Sequence, residues 1–231
     1  VMLTSASSDL AEAKFGDSYY YLKHQLVYGL SVGAVGFFVG ALTYYRRWER
    51  LALPLLIGSI MLLLLVWSPV GVSSGGAERW LSIGPVTFQP GELVKLTFLM
   101  YLAAWISKRG ERSRSVAAGL VPFLILTGGV GVLFVLQPAT TTAVILLGAA
   151  AITYFTAGAR IQFLMAIVLL GVLAFAILTY ATPYRFERII GFLNPAADEL
   201  GTTYHINQSL LAIGSGGLWG VGFGQSTTKL K

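Results

Sequence analysis

The twenty residues Leu51–Val70, LALPLLIGSIMLLLLVWSPV, contain no charged side chain, and they decide the class of the fold. A helix rises about 1.5 Å per residue, so about twenty apolar residues cross the hydrocarbon core of a membrane. Further segments come close to or reach this length. The predicted spans are Leu26–Tyr45, Leu51–Val70, Gly91–Ile106, Val116–Leu136, Thr140–Gly158 and Ile161–Ala181. We therefore predict an all-α fold, a polytopic bundle of about six transmembrane helices.

The composition supports a membrane protein. The chain is 55% hydrophobic and 11% charged, with a mean hydropathy of +0.73. Soluble domains are about 25% charged. A transmembrane barrel would show short alternating segments instead of continuous apolar runs, so helices are the predicted spanning elements. The third span has the shortest apolar part, because Glu92 and Lys95 fall in its first turn.

The cations predict the orientation of the chain in the membrane. Half of the sixteen Lys and Arg residues follow the first, third and fifth spans. They are Arg46, Arg47, Arg50, Lys108, Arg109, Arg112, Arg114 and Arg160. Positive loops stay on the cytoplasmic side, which places the Gly71–Pro90 loop and the segment after Pro183 outside. The net charge of +6 thus reflects membrane topology, and no nucleic-acid partner is predicted.

The residues that commonly bind metals are sparse. The chain has no cysteine, which excludes disulfides and thiolate metal sites. His24 and His205 are far apart and form no HExxH pattern. We predict no metal ligands, while a divalent cation as a cofactor stays open.

Charged and polar side chains are concentrated in Gly76–Leu96, GAERWLSIGPVTFQPGELVKL, which leads into the third predicted span. Glu92 and Lys95 are three residues apart and share one helix face, where they can form an ion pair. They fit either the wall of a polar cavity or a pair that orients the helix start. Arg79 beside Trp80 has two interpretations. Its guanidinium binds a phosphate group, or the two residues anchor the chain at the membrane interface.

Several blocks of the sequence resemble the SEDS family of FtsW, RodA and SpoVE, in family order and over nearly the whole chain. They are SASSDLAEAKFGDSYYYLKHQ (Ser5–Gln25), Gly76–Leu96, LQP (Leu136–Pro138), YRFERIIGFLNP (Tyr184–Pro195) and YHINQSLLAIGSGGLWGVGFGQS (Tyr204–Ser226). The first and last blocks are most similar to the division-type FtsW and SpoVE. The resemblance implies one membrane domain, incomplete at both ends. Residues 1–25 would be an outer segment, 26–181 six spans and 182–231 the start of a large outer loop.

The resemblance also implies an activity: a peptidoglycan glycosyltransferase that polymerises lipid II in cell division or cell-shape control. It would work at the bacterial cytoplasmic (inner) membrane, in the lipid bilayer, with a class B penicillin-binding protein and other divisome proteins. Two alternatives stay open: a lipid II flippase or transporter, which a polar cavity and a broken hairpin also suit, and a non-catalytic division scaffold.

Residue roles follow from the resemblance where its motifs are present. Six residues match family positions that are implicated in activity or that line the central cavity: Arg79, Trp80, Gln89, Pro90, Glu92 and Lys95. Charge and sidedness add Arg185 and Arg188 as candidates to stabilise a diphosphate leaving group. The family's essential aspartate is expected beyond Lys231, so the catalytic residue is unknown. Ala139 and Thr141 stand where the family carries an aspartate and a glycine.

Overall fold

The structure is a computed structural model that describes residues 2–74, 77–83, 86–193, 204–217 and 219–222. The chain divides into two compact units. One consists of Thr43–Ala174, and the other of Val1–Leu42 with Phe175–Lys231.

The Thr43–Ala174 unit carries helices and a small sheet. Its elements are α4 (Tyr45–Leu65), β1 (Gly71–Ser74), β2 (Ala77–Ile83), β3 (Val86–Phe88), α5 (Pro90–Arg109), a 3-10 helix (Gly110–Arg114), a short π-helix (Val116–Leu120), α6 (Val121–Leu136), α7 (Thr140–Thr156) and most of α8 (Ile161–Tyr180). Helices α4, α5, α6 and α7 share one core. Its largest buried side chains include Phe98, Phe123, Phe134 and Tyr154.

The second unit contains the two ends of the chain. Its elements are α1 (Met2–Phe15), α2 (Tyr20–His24), a short π-helix (Gln25–Leu30), α3 (Ser31–Leu42), the end of α8, α9 (Pro183–Leu193) and α10 (Tyr204–Gly216). Between α1 and α2, the Asp17 carboxylate accepts hydrogen bonds from Lys23 Nζ at 2.6 Å and from the Tyr19 N–H at 2.9 Å. Both hydrogen bonds lower the pKa of the Asp17 carboxyl, and the hydrogen bond from Lys23 has the larger effect.

A helix lies at each of the six predicted spans, which confirms the all-α class of the membrane part. Among the described residues, four helical segments are long and apolar enough to cross a membrane. They are Tyr20–Leu42, Tyr45–Leu65, Val116–Leu136 and Ile161–Tyr180. The seventh helix, Thr140–Thr156, is apolar but shorter. Helix α5 has sufficient length, but it carries four charged residues near its ends.

The predicted boundaries of the first two spans need correction. The first helical segment ends at Leu42 instead of Tyr45, and α4 begins at Tyr45 instead of Leu51. Arg46, Arg47 and Arg50 therefore lie in the first turns of α4 and not in a loop. The apolar run predicts too late a start for α4, because a membrane helix can continue beyond the hydrocarbon core. Polar side chains there form hydrogen bonds with water.

The predicted outer loop contains a sheet that the sequence analysis did not anticipate. Strands β1, β2 and β3 form an antiparallel meander, in which Ser74 pairs with Ala77 and Ile83 pairs with Val86. Each pairing leaves two residues between the strands, Gly75-Gly76 and Gly84-Pro85, which lie outside the described residues.

The basic turns of the Thr43–Ala174 unit lie at one end, as the charge pattern predicts. Lys108 at the end of α5 pairs with Glu49 at the start of α4, with 3.7 Å between Nζ and Oε1. The Arg114 Nε–H donates to the carbonyl of Gly158, just before α8, at 3.1 Å. These contacts bring the three basic turns together, and the sheet is connected to the opposite ends of α4 and α5.

Candidate functional site

Arg79 is the extra residue of a β-bulge. Val72 of β1 pairs with Trp80, and the next residue, Ser73, pairs with Glu78, so Arg79 has no partner on β1. A bulge redirects a side chain and often lies next to an active site. Arg79 is half-buried, and its Nε is buried without a hydrogen-bond partner among the described residues. A buried guanidinium donor normally has an acceptor, so this one suits an anionic ligand.

The sheet brings Arg79 and Trp80 towards the start of α5. Leu81 of β2 pairs with Phe88 of β3, and Gln89 follows in an extended conformation (φ −102°, ψ 109°) as the N-cap of α5. Strand β2 also contacts α5 directly. The strand that carries Arg79 and Trp80 is therefore a neighbour of α5, the helix that Gln89 caps.

Helix α5 begins at Pro90, as the sequence predicts, because proline is well suited to the first turn of a helix. Glu92 lies in this first turn and forms the predicted ion pair with Lys95, with 2.8 Å between Oε2 and Nζ. The Glu92 side chain is 60% exposed and that of Lys95 is 26% exposed. The pair thus presents its carboxylate outward and keeps its ammonium partly covered.

The helix ends beneath this region are tightly packed. Gly91 is buried, and a Cβ at this position would lie 2.9 Å from Cε1 of Phe134, near the end of α6. Three residues later, the buried Gln137 donates a hydrogen bond from Nε2 to the carbonyl of Leu63 in α4 at 2.9 Å. Helices α4, α5 and α6 are thereby joined at the end that carries the sheet.

Gln137 is a residue whose role the sequence analysis missed. Its position before Pro138 indicates only a hairpin, but a lone amide between two apolar helices is itself a signal of a buried hydrogen-bond partner. We expect Gln137→Leu to destabilise the protein by about 1–3 kcal/mol, because the substitution removes a buried hydrogen bond. Thermal unfolding in detergent measures this loss. Gln162→Leu, at an exposed position of α8, is the matched control and should change the stability by less than about 0.5 kcal/mol. Equal effects of the two substitutions would contradict the structural role of Gln137.

Six of the eight predicted site residues lie on β2 and at the start of α5: Arg79, Trp80, Gln89, Pro90, Glu92 and Lys95. Their role in one common site stays a prediction. Arg185 and Arg188 lie on α9 in the other unit, and their side chains are outside the described part of the structure, so their role stays a prediction. Ala139 is buried at the N-cap of α7, where it makes no side-chain cap.

A cavity of about 550 Å³ lies away from these residues, at the far end of α5. It is lined by residues such as Ser107, Glu111 and Arg114, and by none of the predicted site residues. Within the described residues, no three His, Asp or Glu side chains are grouped so as to hold a metal ion.

Comparisons with known proteins match the chain from end to end. The model of the cell cycle protein family of FtsW, RodA and SpoVE matches residues 1–231. A probable peptidoglycan glycosyltransferase FtsW of Geobacter sp. (strain M18) is 35% identical over all of this chain and 63% of its own length. Stage V sporulation protein E of Bacillus subtilis (strain 168) is 36% identical, over 99% of this chain and 63% of its own. The chain thus spans less than two thirds of these relatives.

Comparison with solved structures also finds relatives of this kind. The chain is similar to one from a study of the "structural coordination of polymerization and crosslinking by a peptidoglycan synthase complex". The match has 30% identity and a TM-score of 0.67, and it covers 94% of this chain and 64% of that one. The rod shape determining protein RodA of Thermus thermophilus is 29% identical with a TM-score of 0.55, over 73% of this chain and 56% of its own.

Proposed function

Because the chain belongs to the cell cycle protein family of FtsW, RodA and SpoVE, we propose that the protein is a peptidoglycan glycosyltransferase that polymerises lipid II. The observation that carries the proposal is the family match over all 231 residues. Relatives named FtsW and stage V sporulation protein E point to a role in cell division or a related process. The protein is a multi-pass membrane protein, and we place it in the cytoplasmic membrane of a bacterium.

The reaction joins two lipid-linked sugars. An acceptor hydroxyl attacks the anomeric carbon of the donor, a C–O bond forms there, and the bond to undecaprenyl diphosphate breaks. A carboxylate base takes the proton of the hydroxyl, and the family resemblance assigns this role to an aspartate that we do not place on any residue of this chain. The negative charge that develops goes to the diphosphate, which therefore needs cations.

Arg79 and Lys95 supply cations at the end of the Thr43–Ala174 unit opposite the basic turns. The Arg79 guanidinium has a donor, Nε–H, without a partner among the described residues, and its planar fork matches phosphate oxygens. Lys95 is partly covered, where water screens its charge less than on an open surface. In this proposal, Glu92 orients Lys95, and Gln89 and Trp80 line the approach.

The relative from a peptidoglycan synthase complex supports a second part of the proposal, a partner that crosslinks the strands. We propose a class B penicillin-binding protein, with other divisome proteins at the same assembly. Helix contacts in the bilayer would hold such a complex together.

The test is the product formed from lipid II by the purified intact protein in detergent or vesicles, without a membrane gradient. We expect glycan strands, separated by gel electrophoresis. Movement of lipid II across the bilayer without polymer would favour a flippase, and neither product would favour a scaffold. Parallel reactions with EDTA and with Mg²⁺ show whether a divalent cation accompanies the diphosphate.

A further inference from the structure

Helix α9 has one apolar face. Phe186, Ile189, Ile190 and Leu193 recur at positions i, i+3, i+4 and i+7, which lie on one side of a helix. Arg185, Glu187 and Arg188 lie on the other side of the helix, where Phe192 falls between the two arginines. The helix is therefore strongly amphipathic.

The apolar face is not covered within its own unit. Phe186 and Ile190 are each 46% exposed, and Ile189 is half-buried. Large apolar side chains that form a continuous exposed face mark a contact with a partner or a membrane.

The position of α9 in the chain identifies the partner. Only Ala181 and Thr182 separate it from α8, a helix long and apolar enough to cross a membrane. Backbone hydrogen bonds continue across the junction: the Thr182 N–H donates to the Thr179 carbonyl, and the Phe186 N–H donates to the Thr182 carbonyl, both at 3.2 Å. Tyr180, 86% exposed, ends α8 with an aromatic ring of the kind that favours the headgroup level. Helix α9 thus starts where α8 leaves the hydrocarbon.

A second crossing of the membrane is excluded by length. Eleven helical residues extend about 16 Å, roughly half of the hydrocarbon thickness. A short helix with one apolar face and arginines beside it has the composition of helices that lie in the membrane plane.

We propose that α9 is an interfacial helix that lies in the plane of the membrane, with Phe186 and Ile190 facing the acyl chains. The proposal does not depend on the glycosyltransferase activity. It means that the segment after α8 returns to the bilayer surface instead of extending into water.

The absence of cysteine allows a direct test with single spin labels. Phe186→Cys and Ile190→Cys report on the apolar face, and Glu187→Cys reports on the polar face of the same turns. Leu170→Cys, 50% exposed within α8, provides the reference inside the membrane. The labelled intact protein is placed in nanodiscs of phosphatidylethanolamine and phosphatidylglycerol. Collision of each label with oxygen and with a water-soluble nickel complex then gives its depth.

We expect the labels at 186 and 190 to lie about 5–10 Å below the phosphate plane, and the label at 187 to contact the nickel complex. Two results would overturn the proposal. Equal nickel accessibility at all three positions would place α9 in water, and labels at 186 and 190 that are shielded from both reagents would place its apolar face against protein. Because two independent positions report on that face, poor folding of one variant leaves the test intact.

Discussion

Gly119→Ala should lower the stability of the Thr43–Ala174 unit by about 3 kcal/mol, at the upper end of the usual cost of overpacking. A Cβ at this position would lie 2.0 Å from the carbonyl oxygen of Ser113 and 2.8 Å from the hydroxyl of Tyr154. The first of these atoms belongs to the backbone, so no change of side-chain rotamer relieves the clash.

The surroundings of Gly119 also resist a shift of the backbone. The Ser113 carbonyl accepts a hydrogen bond from the Tyr154 hydroxyl at 2.6 Å, and both residues are 1% exposed. The Tyr154 ring stacks on Phe123, with 4.5 Å between the centroids. Moving Ser113 away from a new methyl group would therefore break a buried hydrogen bond and disturb the core.

Gly128→Ala is the matched control for this substitution. Gly128 lies within α6, and among the described residues a Cβ there would meet no atom within 4 Å apart from the nearby backbone of its own helix. Because alanine favours a helix over glycine by up to about 1 kcal/mol, this variant should be as stable as the wild type or more so. Thermal unfolding of the purified protein compares the two variants. If Gly119→Ala unfolds at the same temperature as Gly128→Ala, the close packing of Ser113 against Gly119 is wrong.

The membrane helices could be predicted from sequence, because continuous apolar runs are a local property. The start of α5 was also readable, since proline followed by an acid is a local signal for a helix start. Glu92 and Lys95 pair as their spacing predicts.

The remaining features depend on partners that are distant in the chain or on short pairings. The sheet escaped prediction because strands of three to seven residues between two spans carry a weak periodic signal. The bulge at Arg79 exists only relative to β1, and the partner of Gln137 lies 74 residues away. Such contacts decide which side chain is buried, and spacing along one segment does not contain this information.

Arg79→Ala should reduce lipid II polymerisation by about a hundredfold while leaving the fold intact, a prediction that rests on the proposed function. Removing one preorganised donor from a site that stabilises developing negative charge costs about 10²–10³ in kcat. The stability should stay the same or rise, because the buried Nε lacks a hydrogen-bond partner among the described residues and an unsatisfied donor is unfavourable. An interfacial anchor would show the opposite, with lower stability and unchanged activity.

Lys95→Ala gives the second half of this experiment. Its ion pair with Glu92 is largely exposed on the carboxylate side, so its loss should cost less than about 1 kcal/mol. Lys108→Ala is the control, because it removes the same charge and breaks a pair with Glu49 at the opposite end of the helices. Polymerisation by the intact protein should fall strongly for Lys95→Ala and stay at the wild-type rate for Lys108→Ala.

Arg79→Lys separates charge from geometry. Lysine keeps the positive charge but lacks the planar fork of arginine, so it should restore only part of the activity lost in Arg79→Ala. Polymerisation at the wild-type rate in both Arg79→Ala and Lys95→Ala would remove these cations from the site, even if the protein proves to be a glycosyltransferase. A loss of activity matched by an equal loss in Lys108→Ala would instead indicate a general effect of net charge. A diphosphate held by Arg79 and Lys95 requires one pattern. Arg79→Ala and Lys95→Ala lose activity without losing stability, and Lys108→Ala keeps its activity.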